Sequence, residues 1–298
     1  MAILIDESKK VIVQGITGRT GEFATRYMLE YGTKVIGGVT PGKGGQYVWG
    51  VPVYNNVKEL VEEQGVPDIS LVLVPPVNVK NAVFEALKNN IKHVHISTER
   101  VPIHDVLEFL TYAKRINAII TGPGSFGIIS PGKAVLGWIG GSIELANEAF
   151  KPGVVGVISR SGGQTTTISW LISKEGLGIS TAIHVGAEPI VGMTEAEIVQ
   201  LFEQDKETEV IVIFGEIGGI QEEEVAELVM EGKIRKSIVA YIAGRTLPKG
   251  IRFSHASAII MGSKGTAESK IKMLEKAGIH VVENISDIPK VIRQVLKK

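Results

Sequence analysis

His255 stands in Arg252-Phe253-Ser254-His255-Ala256-Ser257-Ala258-Ile259-Ile260, between Leu247-Pro248-Lys249-Gly250 and Met261-Gly262-Ser263-Lys264-Gly265. An imidazole among such small neighbours, on a Gly/Pro-bounded segment, can stay exposed and mobile, as a nucleophile must. Of the other histidines, His93, His95 and His184 fall within apolar runs, His104 near a helix start and His280 at a strand edge, so all read as structural or surface residues. No pair has helical metal-ligand spacing, and no metal site is expected. Two further segments bear on His255. In Val157-Ile158-Ser159-Arg160-Ser161-Gly162-Gly163-Gln164-Thr165 an apolar run passes through small residues into a helical pattern. N–H groups around Ser161, Gly162 and Gly163 can hold a phosphate there, although an N-capping serine needs no ligand. In Phe214-Gly215-Glu216-Ile217-Gly218-Gly219 a carboxylate directly follows a strand. A surface glutamate is the commoner fate, but facing an imidazole Glu216 would fix its tautomer and raise its basicity. Together these segments describe phosphoryl-histidine chemistry.

A second glycine-rich turn lies near the N-terminus, Val11-Ile12-Val13-Gln14-Gly15-Ile16-Thr17-Gly18-Arg19-Thr20-Gly21. It too leads a strand into a helix start, where free N–H groups and the helix dipole attract anions. Its glycine spacing differs from GxGxxG. The acidic residue that an NAD fold carries about 20 residues later is absent: the chain there reads Val39-Thr40-Pro41-Gly42-Lys43-Gly44-Gly45. Lys43 either is a solvated loop charge or favours a nucleotide with extra phosphate charge, for which coenzyme A and NADP both qualify. Ser97, Thr98 and Glu99 end a later strand, where they either hydrogen-bond a nucleotide or cap the next helix.

The elements that must position these residues follow an alternating βα pattern, which predicts parallel sheets covered by helices. Residues 11–13, 34–39, 69–74, 93–96 and 118–121 read as strands, with helical spacing over 23–31, 57–64, 79–89 and 103–117. After a Gly/Pro/Ser-rich passage from Gly122 to Gly141, read as containing the domain boundary, a second series begins. Its strands are 154–159, 180–185, 209–214, 237–242 and 280–282; its helices are 165–173, 195–205, 221–231 and 267–277. Thr194-x-x-Glu197 has the form of a capping box. The expected fold is α/β, with domains over 1–124 and 125–298.

Composition narrows the classes. With 32 basic and 32 acidic residues, the chain has no general attraction for nucleic acid or anionic membranes, so any anion site must be local. The absence of cysteine removes disulfides, thiolate metal sites and a cysteine nucleophile. Neither a signal-peptide pattern nor a membrane-spanning apolar run occurs, and a cytoplasmic location is expected.

The sequence resembles the alpha subunit of succinyl-CoA synthetase, an ADP- or GDP-forming acyl-CoA ligase, over nearly its whole length. The resemblance rests on Gly15-Ile16-Thr17-Gly18-Arg19-Thr20-Gly21, the stretch from Tyr31 to Gly45, Ser159-Arg160-Ser161-Gly162, Gly215-Glu216-Ile217-Gly218-Gly219, Tyr241-Ile242-Ala243-Gly244 and Ser254-His255-Ala256-Ser257-Ala258-Ile259-Ile260. It implies a Rossmann-like coenzyme A-binding domain followed by a flavodoxin-like parallel α/β domain. Thr17, Gly18, Arg19, Thr20, Lys43, Ser97, Thr98 and Glu99 would contact coenzyme A. His255 would carry the phosphoryl group, Glu216 would orient it, and Ser161 and Gly162 would receive the phosphorylated ring. ATP or GTP, with magnesium, would bind a separate beta subunit of ATP-grasp fold in an αβ or α2β2 assembly, placing the chain in the tricarboxylic acid cycle. Departures lie at Gly163-Gln164-Thr165-Thr166-Thr167, where the family usually has Thr-Leu-Thr-Tyr-Glu, at Gly122-Pro123-Gly124-Ser125-Phe126-Gly127 and at Gly186-Ala187-Glu188-Pro189. Thr166 replaces a tyrosine expected near the carboxylic acid. Succinate is the default acid, with malate or citrate as alternatives. A non-catalytic coenzyme A-binding module and an NADP-dependent oxidoreductase are the competing readings of other classes.

Overall fold

The computed structural model describes residues 2–245 and 265–297. The first half runs β1 (Lys10–Gln14), α1 (Arg19–Tyr31), β2 (Lys34–Val39), β3 (Tyr47–Val48), β4 (Val51–Tyr54), α2 (Val57–Gln64), β5 (Ile69–Val72), α3 (Val79–Lys88), β6 (His93–Ile96), α4 (Ile103–Arg115) and β7 (Ile119–Thr121). The second runs β8 (Gly127–Ser130), β9 (Ala134–Gly137), α5 (Ile143–Ala149), β10 (Pro152–Ser159), α6 (Gly162–Lys174), β11 (Ile179–His184), α7 (Glu195–Gln204), β12 (Val210–Glu216), α8 (Gln221–Met230), β13 (Ser237–Ala243), α9 (Ala267–Lys276), β14 (His280–Val281) and α10 (Ile288–Leu296). The α/β expectation holds.

The first sheet has strand order β3-β4-β2-β1-β5-β6-β7, parallel except for the β3–β4 pair. Its strand order reverses between β1 and β5. The second sheet has order β14-β13-β12-β10-β11-β8-β9, with β10 to β14 parallel and the β8–β9 hairpin added antiparallel to β11. Its reversal lies between β10 and β12. Open α/β sheets bind ligands at such reversal points, beyond the carboxyl ends of the strands. The Gly15–Thr17 turn leaves one of them and the Arg160–Ser161 turn leaves the other.

Fully buried runs such as Val155, Val157, Ile158 and Val210 to Ile213 explain why the central strands are continuous apolar stretches: helices cover both of their faces. At the start of α7 the capping box forms as expected, with Thr194 N–H donating to Glu197 Oε2 (2.8 Å) and Glu197 N–H to Thr194 Oγ1 (3.3 Å). Four features depart from the expectation: the β3–β4 ribbon, the β8–β9 hairpin, and helices α5 and α10. The passage read as containing a boundary is partly sheet, because the hairpin needs Gly127 where its two strands approach. A Cβ there would lie 2.1 Å from Leu136 O.

The hairpin also joins the halves. Thr33 Oγ1 donates to Val135 O (2.7 Å) and accepts from Val135 N–H (3.0 Å), Ser130 Oγ donates to Ile5 O (2.8 Å), and the Tyr27 hydroxyl donates to Ile139 O. Around these bonds Ile5, Met28, Val135, Ile139 and Phe150 belong to one buried apolar cluster.

Candidate functional site

At the first reversal point the turn after β1 is tightly wound. Gly15 has φ +87° and a Cβ on it would lie 2.7 Å from Leu73 O; one on Gly21 would lie 2.1 Å from Gly15 O. Only glycine lets the turn tuck beneath α1 in this way. Gly18 caps α1 without a side-chain hydrogen bond, so the first-turn N–H groups point outward unclaimed by any cap. Gly18, Arg19 and Thr20 are exposed. Thr17, half-buried, donates its hydroxyl to Thr40 Oγ1 at 3.1 Å and ties this turn to the end of β2. Lys43 projects from an exposed loop that Asn55 shapes: Asn55 Oδ1 accepts from Gly42 N–H (3.1 Å) and Gly44 N–H (3.0 Å). Asn55 escapes a sequence reading because it lies beyond β3, outside the Lys43 motif.

Beyond β6, Thr98 Oγ1 donates to Val74 O (2.8 Å), joining the edges of β5 and β6, while Glu99 is exposed. Ser97 is 4% exposed and its hydroxyl has no partner among the described residues. A buried orphan hydroxyl calls for a ligand or a water. The carboxyl edge of this sheet therefore gathers outward N–H groups, two cations and several hydroxyls. That donor set fits a ligand with phosphate charge and polar arms.

At the second reversal point, Ser159 pairs in register with Phe214, so Ser161 and Glu216 each lie two residues beyond on adjacent strands. Ser159 Oγ accepts from Ser161 N–H (3.0 Å) and donates to Ser161 O (2.9 Å), which fixes the turn into α6. Ser161 uses no side-chain cap bond. Gly162 is required by the Phe126 ring, since a Cβ would lie 2.3 Å from it. Thr166 is half-buried on the second turn of α6, and Gln164, which the sequence reading passed over, has a buried Oε1 with no partner among the described residues. Its only sequence signal is an amide in the first turn after the Gly162-Gly163 pair.

Glu216 is buried, not a surface residue. Its N–H donates to Glu222 Oε1 (3.0 Å), and Glu222 Oε2 pairs with Lys270 Nζ, which also donates to Gly218 O (2.8 Å). Beside them Glu195 is fully buried, and neither of its carboxyl oxygens has a partner among the described residues. Burial holds the Glu195 carboxyl well above the ordinary carboxylate range; Glu222 and Glu216 push the same way, and Arg160 and Lys270 oppose them. This charge cluster is invisible in sequence, where Glu222 and Lys270 read as ordinary helix residues. His255 lies outside the described residues.

A chain of hydrogen bonds runs from the last two strands of the first sheet to the second edge. His93 Nε2–H donates to Thr121 Oγ1 (2.9 Å), whose hydroxyl donates to His95 Nδ1 (2.8 Å); His95 Nε2–H donates to Ser125 O (3.3 Å). Ser125 Oγ donates to His184 O, Phe126 N–H donates to His184 Nδ1 (2.9 Å), and His184 Nε2–H reaches Arg160 O (3.3 Å). The directions follow from the carbonyl and amide partners, which settle each tautomer. Burial lowers the pKa of His93 to about 4 and of His95 to about 3, so both are neutral links. Glu188 adds a parallel bridge, accepting from Arg100 N–H (2.5 Å) while its carbonyl accepts from Arg160 Nη2 (3.1 Å).

Two parallel sheets, one with phosphate-compatible donors gathered at its reversal point and one with a helix start and a buried carboxylate at its own, define an α/β protein of the ligand-binding, doubly wound class. Comparison with known proteins gives the family. The family described as CoA binding domain matches residues 6–100, and the succinyl-CoA ligase like flavodoxin domain matches residues 152–294. The chain is 45% identical to the succinate–CoA ligase [ADP-forming] alpha subunit of Aquifex aeolicus, covering 100% of this chain and 95% of that one. It is 43% identical to an ADP-forming sulfoacetate-CoA ligase subunit of Acholeplasma sp, covering 99% and 97%. Among solved structures, ATP citrate lyase from Methanothrix soehngenii, in complex with citrate and coenzyme A, superposes with a TM-score of 0.90 at 25% identity, covering 99% of this chain and 50% of that one. The chain belongs to the succinate–CoA ligase alpha-subunit family. Among the described residues no helix is long and apolar enough to cross a membrane.

Proposed function

We propose that this chain is the alpha subunit of an ADP-forming acid–CoA ligase, with succinate as the acid, and that it works through a phosphohistidine at His255. The observation that carries the reading is the second crevice, where the Ser161-Gly162 helix start and buried Glu216 flank one reversal point. In the synthetic direction a nitrogen of His255 takes the terminal phosphoryl group of ATP, forming an N–P bond as the P–O bond to ADP breaks. A substrate carboxylate oxygen then attacks phosphorus and breaks the N–P bond, giving an acyl phosphate. The coenzyme A thiolate adds to the acyl carbon and phosphate leaves. Glu216 holds the ring proton and sets the ring's orientation, while N–H groups at Ser161 and Gly162 stabilise the phosphoryl charge.

Coenzyme A occupies the first crevice, with its phosphates at Thr17, Gly18, Arg19, Thr20 and Lys43 and its polar arm at Ser97, Thr98 and Glu99. The division of labour follows a boundary between Gly124 and Ser125. ATP or GTP, with magnesium, binds a beta subunit of ATP-grasp fold in an αβ or α2β2 complex in the cytoplasm. Thr166 lies toward the acid. A sulfoacetate-type acid is the second reading, favoured by nearly equal identity to the two kinds of ligase and by the departures from Gly163 to Thr167.

The test is reconstitution with the beta subunit and γ-labelled ATP. An acid-labile label on this chain, absent from His255→Ala, is expected; a label that persists in His255→Ala overturns the assignment. Turnover with succinate, sulfoacetate, malate and citrate in the same complex identifies the acid.

A further inference from the structure

We propose that Glu222 and Lys270 are positioning residues for the ligase reaction, acting through the main chain on both sides of Glu216. The inference rests on the role proposed for Glu216. Glu216 is the last residue of β12, in register with Ala243 of β13, and the turn that follows contains Gly218 and Gly219, so the ladder holds it on one side only and the glycines beyond it are free to turn. Two helices add the stiffness that the turn lacks. Glu222, on the first turn of α8, accepts the Glu216 N–H with Oε1 (3.0 Å) and pairs through Oε2 with Lys270 of α9. Lys270 Nζ then donates to Gly218 O (2.8 Å). The N–H of residue 216 and the carbonyl of residue 218 are thus held by the two ends of one ion pair, and the Cα–Cβ direction of Glu216 between them is fixed.

Burial argues that this pair does more than stabilise the fold. Side-chain exposure is 0% for Lys270 and 3% for Glu222. A buried ion pair is often no more stabilising than apolar residues of the same volume, whereas apolar residues could not hold this N–H and this carbonyl. Space supports the same conclusion: a Cβ on Gly215 would lie 2.3 Å from Glu222 Oε1, so the strand end is shaped to admit the carboxylate. The chain also returns to this turn at Gly265, whose carbonyl accepts the Gly218 N–H (2.7 Å) and whose own N–H donates to Glu223 Oε1 (3.4 Å).

The experiment compares two paired substitutions in the complex with the beta subunit, Glu222→Leu with Lys270→Met and Glu222→Gln with Lys270→Met. Both remove the buried charges together. Only the glutamine variant keeps a carbonyl to accept the Glu216 N–H. For the leucine variant we expect kcat and the rate of labelling from γ-labelled ATP to fall about ten- to a hundredfold, as a small misplacement of a catalytic group does, with KM for coenzyme A unchanged and the pH–rate profile displaced. The glutamine variant should recover most of the rate but stay a few-fold below wild type. A leucine variant that melts like wild type and labels at the wild-type rate overturns the inference. Should it not fold, a wild-type rate in the glutamine variant does the same. If wild-type protein itself takes no label, it is the phosphohistidine reading that fails; if wild type labels and the variants match it, only the positioning role fails.

Discussion

The two crevices sit at equivalent places in two sheets and are built in opposite ways. The first is open and made of backbone, hydroxyls and exposed cations: Gly18, Arg19, Thr20 and Lys43 all face solvent. The second is backed by buried ionisable groups, with Glu195, Glu216, Glu222, Arg160 and Lys270 each less than a tenth exposed. Exposed charges act in a high dielectric and are screened by salt, while buried ones act strongly and tolerate little displacement. A ligand that must enter and leave suits the first construction. A group that has to be held in one direction suits the second.

Several substitutions would break or sharpen this contrast. The largest effect is expected from Glu216→Gln, which keeps the shape and removes the charge. Steady-state kinetics of the complex should show kcat lowered about a hundredfold or more, with coenzyme A affinity unchanged; a loss of affinity instead would mean that the crevices are not separable. Next comes the neutral histidine relay that leads from the first sheet to the second crevice. His93 and His95 have folded-state pKa values depressed from 6.5 to about 4 and about 3, so the stability that depends on them is complete above pH 6.5 and lost as pH falls through those values. At pH 5 each should cost about 2 kcal/mol. The unfolding free energy from denaturant titrations should fall accordingly from pH 6.5 to 4.5, and His95→Gln should remove about half of that slope.

A smaller effect is expected of Lys43→Ala. Coenzyme A should bind about tenfold more weakly at low salt, an exposed charge being worth on the order of 1 kcal/mol, and the difference should shrink at high salt. Calorimetry at two ionic strengths reads both. The smallest is Glu195→Gln. Because the folded-state pKa of Glu195 is raised, its contribution to stability is complete below the ordinary value of 4.5 and is lost as pH rises through the folded value. Glutamine does not titrate. The variant should therefore gain a few degrees in Tm over wild type at neutral pH and show no gain at pH 4, as a thermal melt at each pH will show.

Much of the architecture was legible because the central parallel strands are buried on both faces and their apolar runs are uninterrupted. What escaped was local chain whose structure depends on distant partners. Gly127 and Gly137 read as loop residues, yet both lie within strands because β8 and β9 cross closely there. The β3–β4 ribbon escaped because Trp49, with φ +53°, makes a turn inside a glycine-rich stretch. The candidate residues beside glycines could be named from their motifs. Their supports could not: Lys270 is 48 residues from Glu222, and nothing in either helix marks the meeting.

The seam between the halves bears on how a reaction spread over two crevices can run. Thr33, Ser130 and Tyr27 stitch α1, the turn after it and the N-terminal segment to the β8–β9 hairpin and the chain just beyond it, through buried bonds inside a shared apolar cluster. Domains joined by small polar interfaces swing on hinges; an apolar, hydrogen-bonded seam resists that swing. The two crevices therefore keep a fixed separation, like stations on one bench. On the proposed reading, traffic between them would fall to the long thiol-bearing arm of coenzyme A, not to one half of the protein closing on the other.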